Sequence, residues 1–264
     1  MLTYPKVILF DWHATLVDTY DAMYHAIDDV LGKFDRLGLL TRLTDPEHSR
    51  TVEDAKLVEY VRKTRKLHPK IIADKKISRT DLFEVLFDVD EDAKEIAHLE
   101  FNKCYGRHFD EIHPFEEDTD LMLIELREMG MKLGVITNRD REFLEREINV
   151  IHVNGWTHYF ETLVCGDDVI KRKPAPDLIF KSLKKMDMNP DLDCWYVGDS
   201  TTDTVSAKRA GVTNIFYNGA QWDQIWIDKI FPGTKKHPHK PDAVVNNNKE
   251  IIQLIKSCPQ GCIE

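Results

Sequence analysis

The sequence predicts a doubly wound α/β fold, in which helices cover both faces of a parallel sheet, with a helical domain inserted after the first strand. Three observations support this prediction. Short apolar runs recur along the chain, helical patterns separate them from residue 120 onwards, and residues 19–115 contain helical stretches instead of such runs. An apolar run of four or five residues is typical of a strand that is buried on both faces, as in a parallel sheet.

The first predicted strand is Lys6-Val7-Ile8-Leu9-Phe10, and Asp11 follows it directly. Further strands of the same character are predicted over residues 132–136, 162–165, 194–197, 214–217 and 242–245. The helical patterns that alternate with them cover residues 121–129, 139–150, 175–187, 202–210 and 248–257. The first of these stops at Gly130, as expected of a residue that favours helix ends.

The segment of residues 19–115 interrupts the alternation. Its helical stretches cover residues 20–37, 51–67, 80–88 and 91–109. One of them starts at Ser78-Arg79-Thr80-Asp81, which resembles a capping box with Asp in place of Glu. We therefore predict two domains, which are an α/β core of residues 1–18 and 116–264 and a helical domain of residues 19–115.

Composition narrows the class of protein. Of 264 residues, 42% are hydrophobic and 31% are charged, which is typical of a globular protein. A net charge of −10 opposes binding to the phosphate backbone of nucleic acids. No apolar run approaches the ~18 residues of a membrane helix, and the first residues lack the pattern of a signal peptide.

Five cysteines, an odd number, indicate reduced thiols and hence a cytoplasmic protein. The five tryptophans, including Trp222 and Trp226 at helical spacing, are predicted to pack in the core.

Polar side chains follow several predicted strands. Ligands of an open parallel sheet bind beyond the carboxyl ends of the strands, so these side chains are candidates for a site. The candidates are Asp11, His13, Thr137, Asn138, Lys173, Asp199 and Asp203. Carboxylates clustered at one sheet edge repel one another unless a cation lies among them. Oxygen ligands together with water and phosphate favour Mg²⁺ as that cation.

These segments, in this order, resemble the motifs of the haloacid dehalogenase superfamily of phosphohydrolases. The most specific are Lys173-Pro174-Ala175-Pro176-Asp177 and Gly198-Asp199-Ser200-Thr201-Thr202-Asp203, the latter followed by Ala207, Ala210 and Gly211. The resemblance covers nearly the whole chain outside the insert. The position of the insert resembles that of the helical cap which the family places between its first and second motifs.

The resemblance implies a role for each matched residue. Asp11 would be the nucleophile and would form an aspartyl-phosphate. Thr137, together with the backbone amide of Asn138, would hold the phosphoryl oxygens, and Lys173 would neutralise charge on Asp11 and on the phosphate. These roles agree with the physics of phosphoryl transfer, which depends on positioning and on spreading negative charge over cations.

The resemblance also implies a set of ligands for Mg²⁺. Asp11 and Asp199 would bind the ion, Asp203 would bind it directly or through water, and the backbone carbonyl of His13 would complete the protein's share. Metal binding would therefore survive a change of side chain at position 13.

His13 departs from the family pattern, because phosphatases of the family usually carry a second Asp there. That Asp protonates the leaving oxygen and then activates the hydrolytic water. Histidine can do both, since its reference pKa of ~6.5 lies near working pH. Three interpretations remain open, namely an acid/base histidine, a loss of efficient hydrolysis, or an engineered substitution, and we favour the first.

The sequence thus predicts an Mg²⁺-dependent phosphatase that hydrolyses a small phosphorylated metabolite, without nucleic-acid or membrane partners. One alternative is a phosphate-binding or interaction protein that has lost turnover through His13. Another is a different reaction on the same fold, such as that of a phosphonatase or a phosphomutase. Retention of turnover on a generic phosphate ester distinguishes the first alternative from the phosphatase.

Overall fold

The computed structural model describes residues 2–74, 77 and 79–259. Its elements lie in two compact units, of which one contains the described residues up to Asp18 and from His113 onwards, and the other is Thr19–Ile112. The second boundary is three residues earlier than predicted. The reason is local pairing: β2 (Val17–Asp18) and β3 (His113–Pro114) form an antiparallel ribbon, with Asp18 opposite His113.

The first unit is built on a parallel sheet. Its strands are β1 (Val7–Phe10), β4 (Lys132–Ile136), β5 (Thr162–Val164), β6 (Cys194–Gly198), β7 (Thr213–Tyr217) and β8 (Ala243–Val245). They are arranged in the order β5-β4-β1-β6-β7-β8, and every pair is parallel. The predicted doubly wound fold is therefore confirmed, and each predicted strand is found within one residue of its bounds.

Helices connect these strands and supply the other half of the core. They are α6 (Thr119–Glu128), α7 (Arg141–Val150), α8 (Asp177–Lys185), α9 (Thr201–Ala210), α10 (Gln224–Ile230) and α11 (Asn248–Ser257). One apolar cluster joins the inner faces of α8 and α9 to the sheet through residues such as Leu178, Leu183, Ala207 and Tyr196. Burial of this cluster fixes the ends of the strands relative to one another.

The second unit, Thr19–Ile112, is helical. Its helices are α1 (Tyr20–Leu31), α2 (Val52–Thr64), α3 (Pro69–Asp74), α4 (Arg79–Phe87) and α5 (Glu91–Tyr105). Side chains cap two of them, since Thr51 accepts from the N–H of Asp54 and Asp90 accepts from that of Ala93, both at 3.1 Å. Ser78, where the sequence suggests a capping box, lies outside the described residues.

The prediction for the tryptophans is wrong in two cases. Trp12, Trp156 and Trp195 are fully buried, but Trp222 is 36% exposed and Trp226 is 52% exposed. Trp222 precedes α10 and only Trp226 lies on it, so the two do not share a helical face. Trp226 lies instead against Lys229, whose Nζ is 4.3 Å from the centre of the indole ring, as in a cation–π pair at the surface.

Within residues 2–74, 77 and 79–259, no helix combines the length and the apolar character that crossing a membrane requires.

Candidate active site

The site lies at the carboxyl edge of the sheet, where β1 has a neighbour on each side. Phe10, the last residue of β1, is level with Val135 of β4 and with Val197 of β6. The residues that follow these strands therefore emerge at the same edge. Successive strands are added to one side of β1 and then to the other, and ligands of open α/β sheets bind at such a switch point.

Lys173 joins two carboxylates at this edge. Its Nζ lies 2.6 Å from Oδ1 of Asp11 and 2.7 Å from Oδ1 of Asp203, and all three residues are buried. The two carboxylates come from the end of β1 and from the first turn of α9. Charge-assisted bonds of this length hold the ammonium group between two segments that are far apart in the sequence.

Two further hydroxyl groups belong to this cluster, and the sequence analysis missed both. The hydroxyl of Tyr196 accepts from Nζ of Lys173 at 2.9 Å and donates to Oδ1 of Asp203 at 2.6 Å. Ser200 donates its hydroxyl to Oδ2 of Asp203 at 2.6 Å. Tyr196 gives no polar signal because it lies in an apolar strand. Ser200 and Asp203 do have the S-x-x-D spacing of a capping box, and they form one at the start of α9.

Gly198 allows this arrangement. A Cβ atom at this position would lie 2.7 Å from Cβ and Cγ of Asp203, which is closer than nonbonded carbons approach. The strand can therefore end beside the carboxylate only if residue 198 has no side chain.

The electrostatics of the carboxylates differ. Burial raises the pKa of Asp11 to about 6, although Lys173 opposes the shift. Burial, together with the charges of Asp11 and Asp203, raises the pKa of Asp199 well above its usual value. Burial also acts on Asp203, but the charge and hydrogen bond of Lys173 outweigh it and lower the pKa of Asp203. One ammonium group thus does not balance three carboxylates, of which those of Asp11 and Asp203 are buried and that of Asp199 is half-buried.

The carboxylates of Asp11, Asp199 and Asp203 fit a hard divalent cation. Each offers an oxygen, and these oxygens lie within 4.8 Å of one another. Oxygen donors of this kind suit Mg²⁺ or Ca²⁺ better than softer metals. A cation among them would also offset the excess negative charge.

Thr137 and Asn138 follow β4. Thr137 is buried, and its Oγ1 accepts from the backbone N–H of Arg139 at 3.1 Å. The side chain of Asn138 binds the backbone of Lys173 twice, since Nδ2 donates to the carbonyl at 3.1 Å and Oδ1 accepts from the N–H at 2.8 Å. Asn138 thereby positions the loop that carries Lys173, an arrangement that the motif resemblance does not include.

His13 belongs to a second polar cluster. Its Nε2 accepts a hydrogen bond from Nε of Arg139, and this guanidinium pairs with Oε1 of Glu147 at 3.2 Å. The other oxygen of Glu147 accepts from the indole N–H of Trp12 at 2.7 Å.

Neither Glu147 nor Arg139 is among the site residues predicted from the sequence. Glu147 is fully buried on α7, where it shares a face with Phe143, Leu144 and Ile148. An acid on the apolar face of a helix is the signal that could have identified it, because a buried carboxylate requires partners. Its partners are Trp12 and Arg139, and no local sequence pattern links either of them to Glu147.

We expect Glu147→Ala to lower the free energy of unfolding by about 3 kcal/mol or more, because Arg139 and the Trp12 N–H lose a buried partner. Glu142→Ala, on the exposed side of the same helix, removes a surface pair with Arg146 and should cost at most about 1 kcal/mol. Urea unfolding of the two variants measures the difference. Equal losses would mean that Glu147 does not hold this cluster together.

The fold and the site together define the class of protein. It is an α/β protein in which a lysine lies between carboxylates at the switch point of a parallel sheet. The chain belongs to the haloacid dehalogenase-like hydrolases, because the model of that family matches residues 8–217. The resemblance noted in the sequence, and with it the expectation of a hydrolase of this superfamily, is confirmed.

Individual relatives agree with this membership. A phosphoglycolate phosphatase of Aquifex aeolicus is 26% identical over 251 residues, which are 95% of this chain and 96% of the relative. Pyrophosphatase PpaX of Bacillus cereus is 22% identical over 176 residues, 67% of this chain and 76% of the relative. A crystal structure of a hydrolase from Pseudomonas syringae shares the fold, with a TM-score of 0.61 at 16% identity, covering 96% of this chain and all of that one.

Proposed function

We propose that this protein is an Mg²⁺-dependent phosphatase that hydrolyses a small phosphate monoester through an aspartyl-phosphate on Asp11. The observation that carries the proposal is the position of Lys173, 2.6 Å from Asp11 and 2.7 Å from Asp203 at the switch point of the sheet. A carboxylate can attack a phosphate dianion only where cations offset the repulsion between the two.

In the first step Oδ of Asp11 forms a bond to phosphorus while the bond from phosphorus to the leaving oxygen breaks. Lys173 reduces the repulsion between the carboxylate and the dianion. The Thr137 hydroxyl and the N–H of Asn138 hold the equatorial oxygens, where negative charge is spread in the transition state. In the second step water attacks phosphorus and Asp11 leaves as a carboxylate, so the nucleophile is regenerated.

His13 supplies and then removes protons in this scheme. As the imidazolium it donates a proton to the leaving oxygen, and as the neutral ring that results it accepts a proton from the attacking water. The contacts of its Nε2 with Arg139, and through Arg139 with Glu147, support a fixed orientation of the ring. Arg139 and Glu147 are therefore proposed as positioning residues for His13.

Asp11, Asp199 and the backbone carbonyl of His13 would hold Mg²⁺, which neutralises charge on the phosphate and the nucleophile when it is bound. We propose that Asp203 binds the ion through a water molecule. Its Oδ1 already accepts from Lys173 and Tyr196, and its Oδ2 accepts from Ser200.

This division of roles predicts that Asp199→Asn weakens Mg²⁺ binding by about tenfold to a hundredfold, and more than Asp203→Asn does. Both substitutions remove one charge at nearly constant volume, so each serves as the control for the other. Titration of the protein with Mg²⁺ by calorimetry measures the affinities. A larger loss in Asp203→Asn would assign Asp203 as the direct ligand and contradict the proposal.

The test of the function is a panel of phosphate esters, with phosphoglycolate and pyrophosphate included because relatives are named for them. We expect turnover of at least one ester in Mg²⁺, loss of that turnover after chelation, and recovery when Mg²⁺ is added back. Absence of turnover across the panel, together with tight binding of inorganic phosphate, would favour a binding protein. Turnover that survives thorough chelation would exclude the Mg²⁺ mechanism.

We also propose that the protein acts in the cytoplasm. Cys104, Cys165, Cys194 and Cys258 are buried free thiols, which suits a reducing compartment. Cys262 lies outside the described residues.

A further inference from the structure

The helical unit contains a cluster of two histidines and a glutamate that the proposed function does not use. His25 lies on α1, while His108 and Glu111 lie in the segment after α5, where Phe109–Glu111 forms a 3-10 turn. Nδ1 of His25 is 2.5 Å from Oε2 of Glu111, and Nδ1 of His108 is 2.9 Å from Oε1 of the same carboxylate. One donor atom from each of the three residues lies within 4.8 Å of the other two.

A second carboxylate fixes the orientation of His108. Oδ2 of Asp29 lies 3.0 Å from Nε2 of His108, and the same oxygen accepts from Arg107 at 2.7 Å. With its Nε2–H on Asp29, the neutral imidazole would have the electron pair of Nδ1 available for a metal ion on the side of Glu111. A carboxylate on the outer nitrogen is the arrangement that metal-binding histidines use to fix their tautomer and raise their basicity.

The charges of the cluster are also suited to a cation. His108 lies between two carboxylates, since its Nε2 is 3.0 Å from Asp29 and its Nδ1 is 2.9 Å from Glu111. Two carboxylates on either side of an imidazole favour positive charge between them, and a metal ion would supply that charge.

We propose that His25, His108 and Glu111 form a binding site for a transition-metal ion, with Zn²⁺ as the representative of the class. Two imidazole nitrogens and a carboxylate suit Zn²⁺, Ni²⁺ or Cu²⁺ and do not suit Mg²⁺, which prefers oxygen ligands. The site is independent of the proposed phosphatase chemistry, because its ligands and their partners all belong to Thr19–Ile112.

The test is calorimetric titration of the metal-stripped chain with Zn²⁺ in millimolar Mg²⁺. The background is Asp199→Asn, so that the carboxylate cluster of the first unit contributes less. We expect one Zn²⁺ per chain in the parent protein and binding weakened about tenfold or more in His25→Gln and in Glu111→Gln. Asp29→Asn should weaken binding as well, because it removes the negative charge that faces Nε2 of His108. His152→Gln, at an exposed histidine of the first unit, is the matched control and should leave the affinity unchanged.

His25 is 53% exposed in its side chain, so His25→Gln should fold like the parent, and circular dichroism verifies this. The site is refuted if the parent binds no Zn²⁺ under these conditions. It is equally refuted if His25→Gln and Glu111→Gln bind Zn²⁺ as tightly as the parent, since the cluster would then be a set of histidine–carboxylate ion pairs only.

Discussion

Asp11→Asn should abolish turnover, with a loss of about 10⁴-fold or more, while the fold is retained. The amide has nearly the volume of the carboxylate, but it cannot form the bond to phosphorus that the covalent route requires. Steady-state assays with the best ester of the panel measure the loss. Asp228→Asn, on the exposed helix α10 of the same unit, is the control and should keep full activity.

The same substitution should stabilise the metal-free protein at neutral and higher pH. Burial raises the pKa of Asp11 to about 6, so an ionised Asp11 costs free energy in the folded state. Asn removes this cost, on the order of 1–3 kcal/mol above pH 6. The advantage shrinks as the pH falls below 6, because Asp11 then takes up a proton in the folded parent. Near-normal turnover would contradict the assignment of Asp11 as the nucleophile, and a destabilised variant at pH 8 would contradict the cost assigned to its ionised form.

His13→Ala should lower the rate with an alkyl phosphate by about 10²–10⁴-fold, the usual contribution of a positioned acid or base. For an aryl ester, the loss in the leaving-group step should be much smaller, because a good leaving group needs no proton. The ratio of kcat/KM for the two esters, in parent and variant, measures this difference. An equal loss for both esters would mean that His13 does not act as the acid.

His13→Asp provides the complementary result, because Asp is the residue that the family pattern places at this position. We expect turnover to be retained or raised. If the parent has no measurable turnover and His13→Asp creates it, the acid/base histidine is wrong and the chain is a protein that has lost efficient hydrolysis. Arg139 and Glu147 are not substituted in this variant, so the parent and the variant differ only in the side chain at position 13.

Much of the fold could be predicted from the sequence because its strands are buried on both faces. Runs such as Val7–Phe10 and Cys194–Gly198 carry the signal of a parallel sheet in a few consecutive residues. The bounds of the helical domain were harder to predict from the sequence. Its second boundary depends on pairing between Val17–Asp18 and His113–Pro114, which are distant in the sequence and too short to give a pattern.

The residues of the candidate site also fall into two groups, those that the sequence predicts and those that it does not. Asp11, Thr137 and Asp199 each follow a strand, so the rule for sheet edges predicts that they meet. Tyr196 and Glu147 follow no such rule, since one lies inside an apolar strand and the other on the apolar face of a helix. Their roles depend on side-chain contacts between distant segments, which periodicity does not encode.

No sequence pattern predicts the metal site that we propose in the helical unit. His25 is 86 residues from Glu111, and no short metal-binding spacing links the three ligands. Packing of α1 beside the end of α5 brings them together, so the cluster became visible only with the fold.

The central claim is the aspartyl-phosphate on Asp11, and trapping it is the most direct measurement. His13→Ala should slow attack by water on this intermediate, so an activated aryl phosphate should load the variant faster than water unloads it. After an acid quench, peptide mass spectrometry should find one phosphoryl group on the peptide that contains Asp11, and hydroxylamine should remove it. The phosphoryl group should be absent when Asp11→Asn is added to the variant. An active enzyme that never carries this group, and that releases phosphate with inverted configuration at phosphorus, would contradict the account.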